Sequence, residues 1–232
     1  MRWCTMIVKV KENKERILAG IILVVIGVLS RITFTNLLSY TPPLYLTLNG
    51  ITQPLFMLDV FFVVALIAFL SGYLLGGYYS FIIPVSVMVI SDILLGNTFI
   101  FLFTWSGFAL IGLIGYYLQT KQYKGVRHLP SILGGSIGSI LLYDLFTNFG
   151  SWLGWYPPTI EGLTICYIVA LPFMLWHLLS TTIALTIVII PIMYLQKQGF
   201  SIPAKKLSIF ERKAPYVAPV LLIILALALH FV

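Results

Sequence analysis

Six ionisable residues stand within or beside stretches of the sequence that are otherwise apolar. They are Arg31, Asp59, Asp92, Asp144, Glu161 and His177. An ionisable group in an apolar, membrane-like environment is costly to keep, so each one is a candidate for a functional site. Carboxylates, a guanidinium and an imidazole can bind a polar solute together. The same groups can also neutralise one another in a structural network.

The sequence carries no motif that would make these residues catalytic. It contains no G-x-S-x-G elbow, no H-E-x-x-H helix and no Walker loop. Its two cysteines, Cys4 and Cys166, have no metal-ligand spacing. We therefore expect no enzyme, no metal and no cofactor, and an intramembrane enzyme is the least favoured alternative.

The composition indicates where these polar residues are. The chain has 232 residues, of which 60% are hydrophobic and 9% charged, whereas soluble domains are about 25% charged. So apolar a chain is neither an ordinary soluble domain nor a disordered one. The sequence predicts an all-α polytopic membrane protein located in the cell membrane.

Seven apolar stretches are candidates for membrane-spanning helices, which need about 20 residues each. They run over 17–38, 55–75, 79–95, 98–118, 129–149, 175–195 and 214–232. The long apolar segment that ends near 195 contains Pro172, and we expect this proline to separate a re-entrant or interfacial piece near 162–174 from the sixth span. The predicted organisation is a basic N-terminus (1–16), a six-helix core (17–195), a basic loop (196–213) and an additional helix (214–232).

The basic residues predict the orientation. All but one of the 14 lysines and arginines fall in three clusters that this topology places on the same side, and the exception is Arg31. The positive-inside rule makes that side cytoplasmic. The N-terminus is then cytoplasmic, the C-terminus is outside, and the ionisable residues of the spans gather toward the outer face. The clusters account for the net charge of +7 without a nucleic-acid partner.

Small residues also recur one helical turn apart. The pairs are Gly72 with Gly76, Gly134 with Gly138, and Gly135 with Ser139. Such spacing allows close helix approach in lipid. We expect packing within the bundle, and the alternative is an interface with another subunit.

Two segments resemble an uncharacterised family of small multi-span proteins. The first, from Asp59 to Gly96, contains a glycine-rich hairpin, a proline and the pair Ser91-Asp92. The second carries a TNFG-x-W motif at 147–152, followed at 156–167 by YP-x-T-x-EGL-x-x-CY. This family is in turn similar to the substrate-binding S components of energy-coupling-factor (ECF) transporters.

The resemblance implies a six-helix S-component-like core that binds a small polar or vitamin-like molecule from the outer face. It also implies a coupling transmembrane subunit and ATPases as partners, besides the lipid bilayer. S components dock their coupling subunit through an A-x-x-x-A motif on the first helix, which Ala19, Gly20 and Gly27 do not reproduce.

The function predicted from the sequence is that of a substrate-binding membrane subunit of a transporter. Arg31 would meet an anionic group, Asp92 and Asn148 would make hydrogen bonds, and aromatic side chains would cover the solute. The predicted binding residues are Arg31, Asp59, Asp92, Asn148, Trp152, Tyr156, Glu161 and His177. The alternative is a non-catalytic accessory subunit of a larger membrane complex, in which these residues form a buried network.

Cysteine labelling tests the predicted orientation. In a background without Cys4 and Cys166, a single cysteine at Ser151 should react with a membrane-impermeant reagent added to intact cells. A cysteine at Gln122 should not react, because that loop carries basic residues and is expected inside. Equal labelling of the two positions, or the reverse pattern, would contradict the topology.

Overall fold

The structure is a computed structural model, and it describes residues 2–38, 44–48, 51–123, 125–199 and 207–230. In this part of the chain seven α-helices account for most residues. A π-helical turn, Ser71–Leu75, extends α2, and a 3-10 turn, Val126–His128, leads into α5. The helices are α1 (Arg2–Leu37), α2 (Phe61–Leu70), α3 (Tyr79–Leu95), α4 (Phe101–Thr120), α5 (Leu129–Trp155), α6 (Ile160–Lys197) and α7 (Ile209–His230).

Five of these helices, α1, α4, α5, α6 and α7, are long and apolar enough to cross a membrane. The apolar helices Phe61–Leu75 and Tyr79–Leu95 are shorter. Large hydrophobic side chains of α1, such as Leu18, Ile21 and Leu29, are more than half exposed. A surface of this kind fits lipid, and the expectation of a helical membrane protein is supported.

Two features at the start of the bundle differ from the prediction. The connection after α1 contains an antiparallel hairpin, β1 (Tyr45–Leu48) with β2 (Ile51–Pro54), which the all-helical prediction omitted. The second helix begins at Phe61 rather than at residue 55. Asp59 Oδ1 accepts a hydrogen bond from the N–H of Phe61 at 3.0 Å, and so satisfies one free donor of the first turn.

The predicted division at Pro172 is not found, because α6 is one continuous helix of 38 residues. Proline removes one backbone donor, but the hydrogen bonds before and after it remain. The carbonyl of Pro172 also accepts a hydrogen bond from the N–H of Met57 at 3.3 Å. At 1.5 Å per residue α6 is about 57 Å long, which exceeds the roughly 30 Å of hydrocarbon in a bilayer. Part of α6 must therefore extend beyond the hydrocarbon layer.

The contacts of two glycines in α1 show the relative directions of the first helices. Gly20 of α1 lies against Tyr79 of α3, and Gly27 lies against Val87, two turns further along the same helix. The helices α1 and α3 therefore run parallel. Phe34, near the end of α1, contacts Phe62, near the start of α2, so α2 runs in the opposite direction.

The later helices continue this alternation. Gly135 of α5 contacts Leu118 near the end of α4, whereas Gly150 contacts Phe103 near its start, so α4 and α5 are antiparallel. Tyr116 pairs with Tyr216 near the start of α7. Leu102 and Phe103 share a cluster with Ala226 near the end of α7. Hence α7 also lies antiparallel to α4 and belongs to the bundle.

Alternating helices separate the charges between two ends of the bundle. We call the end with the C-termini of α1 and α3 the polar end, because Arg31, Asp59, Asp92 and Glu161 lie toward it. The other is the basic end, toward which lie the remaining lysines and arginines whose side chains are described. These are Lys14, Arg16, Lys121, Arg127, Lys197, Arg212 and Lys213. The predicted basic loop 196–213 falls partly outside the described residues.

The small residues divide between interior and surface. A Cβ on Gly72 would overlap the carbonyl oxygen of Gly112 in α4, so α2 and α4 are in backbone contact there. Gly135 packs against Leu118, and Ser139 is buried. Gly134 and Gly138 have no atom within 4 Å of the position that a Cβ would take. The expectation of internal packing fits Gly72 and the pair Gly135 with Ser139. It does not fit Gly134 and Gly138, which lie on an open face of α5.

Gly72→Ala should destabilise the protein, since the new methyl group has no space between α2 and α4. The expected loss is about 1–3 kcal/mol, as for other overpacked sites, and thermal unfolding of the purified protein measures it. Gly134→Ala is the matched control and should be neutral or slightly stabilising, because alanine favours helix over glycine. Equal melting temperatures for the two variants would contradict the packing described here.

Candidate functional site

Arg31 and Asp92 form the centre of a first polar group, which we call the ion-pair cluster. Arg31 Nη1 lies 2.5 Å from Asp92 Oδ1 and also donates to the hydroxyl of Ser91. Trp105 Nε1 donates to Asp92 Oδ2 at 2.7 Å, and the amide of Asn97 donates to the same oxygen. Both oxygens of Asp92 thus have partners, and its charge is balanced by the guanidinium.

The ion-pair cluster joins three helices at the polar end. Arg31 comes from α1, Ser91 and Asp92 from α3, and Trp105 from the second turn of α4. The Arg31 side chain is 16% exposed and the Asp92 side chain 5%. A largely buried ion pair with both carboxylate oxygens hydrogen-bonded holds its elements in one arrangement, and removing one partner is costly.

His177 is the centre of a second group, which we call the histidine cluster. Its Nε2 lies 2.8 Å from Asp59 Oδ2, and its Nδ1 lies 2.5 Å from Asp144 Oδ1. The ring of Phe61 stacks on the imidazole with centroids 3.9 Å apart. The N–H of the Trp176 indole also donates to the backbone carbonyl of Asp59 at 3.0 Å. The start of α2, the middle of α5 and the middle of α6 therefore meet at one histidine.

With both carboxylates ionised, the hydrogen bonds of the histidine cluster determine its charge. Each ring nitrogen of His177 faces a carboxylate oxygen, and only a doubly protonated imidazole donates from both nitrogens. In that state one positive charge is shared between two carboxylates. The cluster then carries a net charge of −1.

Asp144 is the incompletely satisfied member of this cluster. The residue is 1% exposed, and its second oxygen, Oδ2, has no hydrogen-bond partner among the described residues. Two other buried oxygens, those of the Thr181 hydroxyl and the Gln196 amide, share this condition, but they are neutral. A buried carboxylate oxygen without a partner is the more costly case.

A cavity of about 360 Å³ lies beside the histidine cluster, between α5, α6 and the start of α4. Its lining mixes hydroxyl, amide, carboxylate and imidazole groups with aromatic and aliphatic walls. Trp155, the last residue of α5, is 55% exposed, so the cavity reaches the surface at the polar end. The lining residues are Ile100, Thr104, Tyr143, Asp144, Thr147, Asn148, Ser151, Trp155, Tyr156, Cys166, Val169, Ala170, Phe173 and His177.

The structure brings only part of the predicted set of binding residues to this cavity. Asn148, Tyr156 and His177 line it, and Asp59 stands behind His177. Arg31 and Asp92 belong to the ion-pair cluster and do not line the cavity. The expectation that Arg31, Asp92 and Asn148 share one cavity stays a prediction, and of the three only Asn148 lines the cavity described here.

Two further predicted residues stand at the edge of the site. Trp152 Nε1 donates to the carbonyl of Pro157 at 3.0 Å, which fixes the turn between α5 and α6. Glu161 is exposed in the first turn of α6, where a carboxylate interacts favourably with the helix dipole. Neither side chain lines the cavity.

Asp144 is one of the six ionisable residues of the apolar segments, but the predicted binding set does not include it. A signal for it exists in α5, where Asp144, Thr147, Asn148 and Ser151 follow the i, i+3, i+4, i+7 spacing of one helix face. In α6, Cys166, Val169, Ala170, Phe173 and His177 repeat that spacing and extend it by one turn. These two faces form most of the cavity wall.

Metal binding finds no support in the described part of the chain, where no group of three or more His, Cys, Asp or Glu side chains is arranged to hold an ion. Both ring nitrogens of His177 face carboxylates and neither is left to coordinate. The expectation that no metal or cofactor takes part stays a prediction.

Comparison with known proteins identifies one family, and the function of that family is unknown. A family of unknown function, DUF6580, matches residues 11–204, and the chain belongs to it. The match includes α2 to α6 and most of α1, and it ends before α7. No curated protein and no solved structure matches the chain.

The ion-pair cluster generates a double-mutant prediction. Arg31→Met and Asp92→Asn should each destabilise the protein by about 3–5 kcal/mol, because each leaves a buried charge without its partner. The double variant should recover most of the loss, since the amide oxygen of the introduced asparagine would still accept from Trp105. Thermal unfolding of the purified variants is the measurement.

The control for this series is Glu161→Gln, an exposed change that should stay within about 0.5 kcal/mol. Losses that simply add in the double variant would show that Arg31 and Asp92 do not act as a pair.

Proposed function

We propose that this protein is the substrate-binding membrane subunit of a transporter, which captures a small solute from the outer face for uptake. The observation that carries the proposal is the cavity of about 360 Å³ at the polar end, with Asp144 buried in its wall. Ligand sites are concave, mostly apolar and equipped with a few convergent polar groups, usually within volumes of about 300–1,000 Å³.

The cost of the site supports a functional role. An apolar bundle gains nothing from an incompletely paired carboxylate, and such groups inside a membrane are usually retained for a task. Thr147, Asn148 and Ser151 add hydrogen-bonding capacity on the same face of α5. These groups serve a solute that presents its own donors and acceptors.

The resemblance of the sequence motifs to those of ECF S components motivates the same proposal on the level of architecture. The family match ends at residue 204, before α7, and this end is compatible with a six-helix core. In our proposal the core binds the solute and α7 is an addition that covers α4. A chain without a Walker loop needs a partner or an ion gradient for active uptake.

The coupling subunit would not dock in the manner known from S components. Gly20 and Gly27 of α1 face Tyr79 and Val87 of α3, so the small residues of the first helix are used inside the bundle. An energy-coupling partner would have to contact another surface.

The accessory-subunit alternative has one observation in its favour. In the ion-pair cluster both oxygens of Asp92 are paired without a ligand, as expected of residues that only stabilise a bundle. Purification in a mild detergent separates the two proposals. A coupling transmembrane subunit with an ATPase pair would support transport, whereas an oxidoreductase or secretion complex would support the accessory role.

Filling the cavity tests the solute-binding proposal directly. Ala170 lines the cavity and is 8% exposed, so Ala170→Leu places three additional carbon atoms in its wall. Solutes from a broad panel of small metabolites that raise the melting temperature of the wild-type protein should lose this effect in Ala170→Leu, by at least tenfold in apparent affinity.

The matched control is Ala228→Leu, the same substitution at an exposed position of α7. This variant should retain the wild-type response. If no solute stabilises the wild-type protein, or if the two variants respond alike, the cavity is not a solute site and the accessory role gains.

A further inference from the structure

We infer that the cavity takes a monovalent organic cation, with an ammonium group beside the Asp144 carboxylate and an apolar body against the aromatic wall. This inference rests on the proposed function, because it uses the same cavity. It adds the chemical class of the solute, for which the sequence alone suggested an anionic group at Arg31.

The charges around the cavity are the first argument. The histidine cluster holds two carboxylates and one imidazole, and its net charge is −1 when both carboxylates are ionised and the imidazole is doubly protonated. Arg31 does not compensate for it, since it is paired with Asp92. The other described lysines and arginines lie toward the basic end. A bound cation would supply the missing positive charge.

The hydrogen bonds give the second argument. Asp144 lines the cavity, and its Oδ2 has no partner among the described residues. An ionised carboxylate only accepts hydrogen bonds, so its ligand must donate. A hydroxyl group would satisfy the hydrogen bond without the charge, and an anion would meet repulsion. An ammonium ion supplies both the donor and the charge.

The walls of the cavity give the third argument. Tyr143, Trp155, Tyr156 and Phe173 contribute aromatic rings, which attract cations through their faces. Ile100 and Val169 add aliphatic surface for the body of the ligand. A hard metal cation would need several oxygen ligands, and the described residues offer no such group. The lining therefore favours an organic ammonium ion over a metal ion.

Three probes of similar shape and different charge test this inference. They are 2-phenylethylammonium, its neutral analogue 2-phenylethanol and the anion 3-phenylpropanoate. Each is titrated against the purified full chain in nanodiscs of zwitterionic lipid, with the melting temperature as readout. The cation should bind at least tenfold more tightly than the neutral and anionic probes.

Two variants assign the effect to Asp144. Asp144→Asn keeps the size of the side chain and removes its charge, so the preference for the cation should fall to less than threefold. Asn148→Lys leaves the histidine cluster intact and places a tethered ammonium in the cavity, one turn from Asp144. The tethered group should displace the cationic probe without lowering the melting temperature of the protein alone.

The control for the tethered group is Asn148→Met, which has similar length and no charge. Asn148→Lys should lose at least tenfold more affinity for the cation than Asn148→Met loses. Equal losses in Asn148→Lys and Asn148→Met would attribute the effect to bulk and overturn the inference. Because these variants leave Asp144 in place, they decide the question even if Asp144→Asn does not fold.

The outcomes also separate this inference from the proposed function. Stronger binding of the neutral or the anionic probe overturns the cation inference. The solute-binding proposal then survives if that binding is lost in Ala170→Leu. If none of the three probes binds, the cation inference fails, and the proposed function is still decided by the metabolite panel.

Discussion

Charges enclosed in an apolar helical bundle need partners, and His177 is the partner of two carboxylates at once. Through Asp59 it joins α6 to the start of α2, and through Asp144 it joins α6 to α5. The stacked ring of Phe61 fixes the orientation of the imidazole. The positions of three elements that are far apart in the sequence depend on this one side chain. An imidazole has two nitrogens and two carboxylates have four oxygens, so the cluster cannot satisfy itself completely. The oxygen left without a described partner is the buried Oδ2 of Asp144, a residue that lines the cavity.

The two polar clusters differ in the hydrogen-bonding groups and charge that stay unpaired. This difference indicates a structural role for one cluster and a binding role for the other. In the ion-pair cluster, Asp92 receives hydrogen bonds on both oxygens and a full positive charge from Arg31. No carboxylate oxygen remains there for a solute to satisfy. In the histidine cluster, Asp144 keeps an oxygen without a described partner and the charge is not balanced. The sequence favours Arg31 as a binding residue, yet in the structure Asp144 is the better candidate.

Features that depend on composition and spacing along the chain could be predicted from the sequence. Features that depend on how each helix is rotated about its own axis could not. The helical apolar segments and the clustering of basic residues at one end follow from composition and spacing. The pairing of Arg31 with Asp92 rather than Asp59 depends on which faces of α1 and α3 meet, and spacing within one helix does not determine that. Pro172 misled the prediction, because a long helix tolerates the loss of one hydrogen bond. Asp144 could have been predicted as a site residue, since the residues at i+3, i+4 and i+7 from it form a polar face of α5.

That polar face also explains how the bundle tolerates the site. Thr147 donates to the carbonyl of Tyr143 at 3.0 Å, Asn148 to that of Asp144 at 2.8 Å and Ser151 to that of Thr147 at 3.1 Å. Each of these side chains is satisfied within its own helix and needs nothing from a neighbour. An empty cavity therefore leaves few unmet hydrogen bonds, and a ligand can enter or leave without disrupting α5. Asp144 has no such local partner. The selectivity of the site would then depend on the one group that the helix cannot satisfy, while its other polar groups adapt to the solute that arrives.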